Sequence, residues 1–284
     1  MEQTLPAGAL TAGVIKLGEL EVHRMGFGAM RLCAGYAWGP PRDRPAAHRV
    51  LRRAVELGVN FIDTADSYGP EESERLIAEA LHPYPQGLVI ATKGGYVRGP
   101  HGGWTADGRP EHLRRALEGS LRRLKLDCVD LYQLHTPDTR VPLTDSVGTL
   151  VELQREGKIR HLGLSNVSAK QLSAARKHAQ IVSVQNEYNH GERGSEDVLV
   201  ACELLDIVFI PWYPLASGGA SRAGKLKRVA DRHGATAAQV ALAWLLARTP
   251  LMLPIPGTSS ISHLEENVAA ASLKLFAEDL ALLK

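Results

Sequence analysis

Gly58-Val59-Asn60-Phe61-Ile62-Asp63-Thr64-Ala65-Asp66-Ser67-Tyr68-Gly69 is an apolar run that ends in an acid, with a tyrosine five residues later and a glycine behind it. Residues 60–63 are short and apolar, as a strand covered on both faces is. Helical periods flank them. Residues 44–57 place Val50, Leu51, Ala54 and Val55 on one face, and Glu72–Leu81 follows the loop. Strand, loop and helix thus form a unit, and the chain repeats it.

Before this unit, 24–30 reads as a first strand. After it come the strand 88–93 with the helix Pro110–Leu124, then 129–135 with 145–156. Pro110 suits a first helical turn, where the missing N–H has no partner to lose. Strand 159–164 precedes a helix that Ser168 to Gln171 opens as a capping box. Strand 181–185 pairs with helix 196–204. Strand 207–211 pairs with 236–247, opened by a second box, Thr236 to Gln239. Strand 251–255 pairs with 262–271, where Ser262 and Glu265 have the same spacing, and 277–283 is a short extra helix.

Eight such pairs without a linker imply one domain over 1–284. Eight parallel units close into a (β/α)8 TIM barrel of about 250 residues. Residues 14–22 read as a hairpin that plugs its N-terminal end. An open doubly wound sheet would carry G-x-G-x-x-G after its first strand. Gly26-Phe27-Gly28-Ala29-Met30-Arg31 lacks the last glycine.

Composition narrows the function classes. Of 284 residues, 44% are hydrophobic and 23% charged, the balance of a globular enzyme with a large core. A net charge of +2 gives no argument for a nucleic-acid partner. Cys33, Cys128 and Cys202 are odd in number and far apart, so no disulfide framework and no metal site is expected. A reducing compartment, the cytoplasm, fits them. The first ten residues lack the features of a secretory signal, and no stretch approaches the ~20 apolar residues of a membrane span, so no membrane partner is expected.

In a barrel, strand C-termini converge on one mouth. Asp63, Lys93 and His135 each end a strand by this count, and Tyr68 lies in the loop after the second. Singly, each has an ordinary reading as cap, surface or core residue. Together an acid, a phenol, an amine and an imidazole form a proton-donating set, suited to protonating an oxygen while a hydride reaches the adjoining carbon.

The chain resembles the aldo-keto reductase superfamily through 60–69, Ala91-Thr92-Lys93, Asp130-Leu131-Tyr132-Gln133-Leu134-His135, Gly163-Leu164-Ser165-Asn166, Val184-Gln185-Asn186-Glu187-Tyr188-Asn189 and Ile255-Pro256-Gly257-Thr258-Ser259-Ser260. It is similar to bacterial members, including a pyridoxal reductase-like group. The resemblance implies reduction of aldehydes and ketones with a nicotinamide dinucleotide held on the barrel. Tyr68 is then the general acid, Lys93 lowers its pKa, Asp63 holds Lys93, and His135 hydrogen-bonds the carbonyl oxygen. Ser165, Asn166 and Gln185 match the carboxamide contacts. Trp212 takes the ring-stacking position, with Tyr213 as the rival, and Leu215 and Ser217 face the pyrophosphate. Gly28, Met30 and Asp63 also line the cofactor path. Gly257, Thr258, Ser259, Ser260 and His263 fall at the adenosine phosphate, and Glu266 and Asn267 at adenine.

Many NADPH-preferring relatives have a lysine where Gly257 stands and an arginine near His263. Hydroxyls and a helix N-terminus still favour NADP(H), with NAD(H) possible. Tyr36, Trp38, Tyr96 and Trp104 are the substrate-side candidates, while Arg98 and His101 read as surface. The partner is a small-molecule carbonyl, and the state a monomer or small homo-oligomer. Two other classes fit part of the set: a Schiff-base aldolase using Lys93, which leaves the dinucleotide residues unexplained, and a non-catalytic or weakly catalytic dinucleotide-binding regulatory subunit, which leaves the tetrad unexplained.

Overall fold

The computed structural model describes residues 8–216 and 224–284, and of Tyr36 the backbone alone. β1 (Val14–Leu17) and β2 (Leu20–His23) pair antiparallel. Their buried residues Ile15, Leu17 and Val22 join Phe61, Val89, Leu131 and Val208 in a core of their own. Those partners lie early in barrel strands, so the hairpin seals the barrel's N-terminal end, as expected.

The units then follow in order: β3 (Phe27–Gly28) and α1 (Arg44–Glu56); β4 (Phe61–Asp63) and α2 (Glu72–Leu81); β5 (Val89–Gly94), a hairpin of β6 (Tyr96–Arg98) and β7 (Trp104–Ala106), and α3 (Pro110–Leu124); β8 (Val129–Leu134) and α4 (Leu143–Arg155); β9 (Ile159–Ser165) and α5 (Ala169–Ala175); β10 (Ile181–Glu187) and α6 (Glu196–Leu205); β11 (Val208–Trp212), α7 (Gly224–His233) and α8 (Ala237–Arg248); α9 (Ile261–Ala269) and α10 (Ala277–Leu282). One parallel sheet runs β11-β10-β9-β8-β5-β4-β3. The helices cover its outer face. α1 buries Ala47, Val50, Leu51 and Ala54, and α3 buries Leu113 and Leu117. The capping boxes at Ser168 and Thr236 form as read.

Three expectations need correction. The first strand is only two residues long, because 29–32 winds into a 3-10 turn. Residues 251–255 make no regular strand. They close the barrel through a parallel bridge of Phe209 with Met252 and a bond from Gly26 N–H to the Pro254 carbonyl at 2.9 Å. Pro250, Pro254 and Pro256 have no N–H to give to a ladder, which explains the loss. The last large helix is capped by Ser260, which accepts from His263 N–H at 3.4 Å, so the Ser262–Glu265 box does not form. The β6–β7 hairpin and α7 were not anticipated.

Candidate active site

β4 and β5 are neighbours in parallel register, which sets Asp63 beside Ala91 and brings Lys93 over the same strand ends. The Lys93 ammonium is wholly buried and donates three bonds: to Asp63 Oδ2 at 2.8 Å, to the Thr64 carbonyl at 2.9 Å and to Tyr68 Oη at 3.2 Å. An ammonium has three donors, so all are used. Asp63 Oδ1 accepts the Gln185 amide at 2.8 Å and, more distantly, the Gln133 amide at 3.4 Å. His135 follows β8, and its N–H binds the Gly94 carbonyl at 2.9 Å, which ties it to the end of β5. Its ring meets Tyr68 edge-on with centroids 5.8 Å apart, and its Nδ1 lies 3.4 Å from Ser67 Oγ. The four expected residues thus meet at one point.

Burial decides the resting charges. It opposes the Lys93 ammonium, but Asp63 and Tyr68 outweigh it, and the Lys93 pKa is raised. Burial also pushes the Tyr68 phenol up, against the pull of Lys93. The expected net lowering is therefore not found; Lys93 limits a rise that desolvation imposes. His135 is held well below the usual imidazole range by burial, then by the Lys93 and Arg98 charges. At neutral pH the centre holds a neutral phenol, a neutral imidazole and a closed ion pair. A Lys93 held as a three-bonded ammonium weakens the Schiff-base reading, which needs a free amine.

The β6–β7 hairpin walls one side. Tyr96 lies edge-on to His135 at 4.7 Å, and Trp104 lies edge-on to Tyr96 at 5.2 Å, His135 at 6.0 Å and Tyr68 at 6.3 Å. Trp38 reaches the hairpin through Arg98, which is half-buried rather than on the surface; His101 is exposed. The side chain of Tyr36 lies outside the described atoms, and Ser217 outside the described residues.

The remaining candidates form two groups. At the end of β9, the Asn166 amide donates to the His135 carbonyl at 2.9 Å and to Ser165 Oγ at 3.2 Å, and Asn166 Oδ1 accepts the Trp212 indole at 3.0 Å. Gln185 and Ser165 are buried beside them, and Met30 packs against the Tyr68 cluster. Tyr213 points outward, 39% exposed, with its ring 6.0 Å from Trp212; Leu215 packs on the helix layer. The second group is the start of α9. There Ser260 N–H binds Thr258 Oγ1 at 3.1 Å, Ser260 and Ser262 hydroxyls lie 2.8 Å apart, and Ser259 and His263 are exposed. Glu266 accepts the Thr236 hydroxyl at 2.6 Å, which ties it to the cap of α8; Asn267 is buried. Gly28 and Gly257 join the two groups through close backbone approach. A Cβ on Gly257 would lie 2.5 Å from the Gly28 carbonyl oxygen, and one on Gly28 2.7 Å from that of Ile255.

Residues 24–284 match the Aldo/keto reductase family. The chain belongs to that family. It is 48% identical over 97% of its length to an uncharacterized oxidoreductase of Schizosaccharomyces pombe, 90% of which is covered. It is 43% identical over 96% of its length to the pyridoxine 4-dehydrogenase of Escherichia coli K12, 98% of which is covered. An aldo/keto reductase from Klebsiella pneumoniae, solved in complex with NADP and acetate, superposes with a TM-score of 0.78 at 29% identity, covering 93% of this chain and 90% of that one. Within this aldo/keto reductase, sequence reasoning missed Ser67 and Gln133. Ser67 had a signal, since it adjoins Tyr68. So did Gln133, a lone amide inside the apolar run 131–134.

Proposed function

We propose that the protein reduces small carbonyl compounds, aldehydes above all, using a nicotinamide dinucleotide as hydride donor and Tyr68 as proton donor. The observation that carries this reading is the threefold anchoring of Lys93 on Asp63, Thr64 and Tyr68. An ammonium fixed 3.2 Å from a buried phenol can stabilise the anion left when that phenol gives up its proton.

The donor set fits such a cofactor. Ser165, Asn166 and Gln185 are hydroxyl and amides suited to a carboxamide, and Trp212 offers a ring face beside them. Thr258, Ser259, Ser260 and Ser262 supply hydroxyls at the N-terminus of α9, where free N–H groups favour phosphate. NADP(H) is the preferred form and NAD(H) remains usable; the NADP complex of the Klebsiella relative supports this. Bound there, the cofactor would supply the hydride.

The chain's own residues do the rest. Tyr68 Oη gives its proton to the carbonyl oxygen, a contribution of roughly 10²–10⁴ in rate for such a transfer. Lys93 takes up the resulting negative charge, and Asp63, braced by Gln185 and Gln133, keeps Lys93 charged and aimed. Ser67 Oγ lies 3.4 Å from His135 Nδ1; in the tautomer in which that hydroxyl donates, His135 carries its proton on Nε2 and offers it to the same oxygen. The aromatic wall selects planar rings, so pyridoxal, whose reduction would reverse a pyridoxine 4-dehydrogenase, is the first substrate to test.

The test follows NADPH oxidation with pyridoxal and a panel of aldehydes and ketones, then repeats it with NADH. Tyr68→Phe is expected to lose about 10²-fold or more of kcat while its Kd for NADPH is kept. Near-wild-type kcat where chemistry limits the rate would end the proton-donor assignment.

A further inference from the structure

Arg98 stands on the β6–β7 hairpin, at the rim of the site and outside the tetrad. Its guanidinium lies 3.8 Å from the centre of the Trp104 ring and 5.2 Å from that of Trp38. Its N–H groups reach backbone carbonyls in three places: Ala37 at 2.9 Å, Ser67 at 3.1 Å and Gly102 at 2.9 Å. One cation therefore spans the loop after β3, the loop after β4 and its own hairpin. The second of these carbonyls belongs to the residue directly before Tyr68, and that residue's hydroxyl faces His135. The ring under Arg98, Trp104, packs edge-on against both Tyr68 and His135.

We propose that Arg98 is a positioning residue. Held against Trp104 and near Trp38, it pins the hairpin to the tyrosine loop and so fixes the aromatic wall against which a planar aldehyde is presented. This rests on the reductase reading above and adds to it a determinant of substrate class. The geometry asks for arginine in particular. A planar guanidinium can stack flat on a ring while its edge donates to carbonyls on several loops at once; a lysine ammonium, a compact point charge, lacks that planar reach. Those carbonyl bonds are charge-assisted; the loops after β3 and β4 are already joined by backbone bonds between Ala37, Gly39 and Gly69, and Arg98 ties the hairpin to both. With Nη1 and Nη2 bonded to backbone carbonyls, Arg98 serves as a strut for the wall that Tyr96 and Trp104 form. A small aliphatic aldehyde needs Tyr68 and His135 but little of the wall. A ring needs both.

Arg98→Leu and Arg98→Lys are compared with wild type on pyridoxal and on propanal, with NADPH, and by hydrogen exchange without substrate. Both variants are expected to raise KM for pyridoxal about tenfold or more, and KM for propanal much less, because a misplaced wall misorients only the ring. Amides of 96–106 and 35–39 are expected to exchange faster, and lysine is expected not to rescue. Equal KM changes for the two aldehydes, full rescue by lysine, or unchanged exchange in the hairpin would each overturn the proposal. Exchange decides it even if neither aldehyde is reduced by wild type, an outcome that would count against the reductase reading alone.

Discussion

Lys93 is the residue on which the centre turns, and it was legible because it ends a strand beside one that ends in Asp63. Strand ends can be counted along a sequence; which way the lone amide of a mostly apolar strand faces cannot. That is why Gln133, which points inward onto Asp63, escaped notice. Burial was equally hidden, and it reverses the expected net shift on Tyr68. A consequence follows for pH. Reduction needs a protonated phenol and is lost as pH rises through the Tyr68 pKa, which burial has moved above the ordinary ~10. His135, pushed well below its usual range, stays neutral as pH falls through ~6.5. The kcat/KM for reduction is therefore expected to be flat from about pH 6.5 to 9. A pH–rate profile with an acid limb near 6.5 would show that His135 titrates normally and that the site is wetter than the geometry implies.

Helices with strong caps were read to within a residue or two, since Ser168 and Thr236 announce them; loops rich in glycine concealed the hairpin at 95–109. Two elements carry predictions. Glu74 of α2 is wholly buried and is held by Arg123 of α3 at 2.6 Å and by Thr92 of β5 at 2.6 Å. Thr92 precedes Lys93, so this pair fastens two helices to the catalytic strand. Arg123→Met leaves a buried carboxylate without its cation and is expected to cost about 3–5 kcal/mol, read by urea unfolding. A loss under about 1 kcal/mol would mean that Glu74 finds another partner instead. At the start of α9, the lysine of many NADPH-preferring relatives is precluded. A side chain at 257 meets the Gly28 carbonyl, a backbone atom that cannot swing away. His263, exposed in the first turn, is the open position. His263→Arg is expected to tighten NADPH several-fold relative to NADH through a charge-assisted contact. Titration of both cofactors into both proteins checks it, and an unchanged ratio would place the 2′-phosphate elsewhere.

The barrel as a whole was readable from eight repeats of one unit, but its closure was not, because prolines in 250–256 remove the donors a ladder needs. The seam is held from below by Arg24 instead. Its guanidinium donates to the carbonyls of Leu246 at 2.7 Å, Thr249 at 2.6 Å, Met252 at 3.4 Å and Ala12 at 3.4 Å. One side chain thus ties the end of α8, the closing segment and the stretch ahead of the plug. Arg24→Met removes a cation from four carbonyls far from the mouth. With each good bond to a charged group contributing ~1.5–3 kcal/mol, a loss of about 3 kcal/mol is expected. Thermal unfolding should show a lower Tm, with kcat unchanged well below it. A fall in kcat at unchanged Tm would mean that the seam acts on the site and not on the fold.

The placement of the indoles makes the protein its own optical instrument. Trp38, Trp104 and Trp212 border the mouth, whereas Trp244 is enclosed, its ring stacked on Tyr188 with centroids 5.9 Å apart. Emission from the first three should be quenched when a flat ligand enters, and emission from the fourth should shift red only when the helix layer opens. With Trp244 replaced by phenylalanine, what remains is a label-free signal of occupancy, suited to measuring how fast ligands arrive and leave.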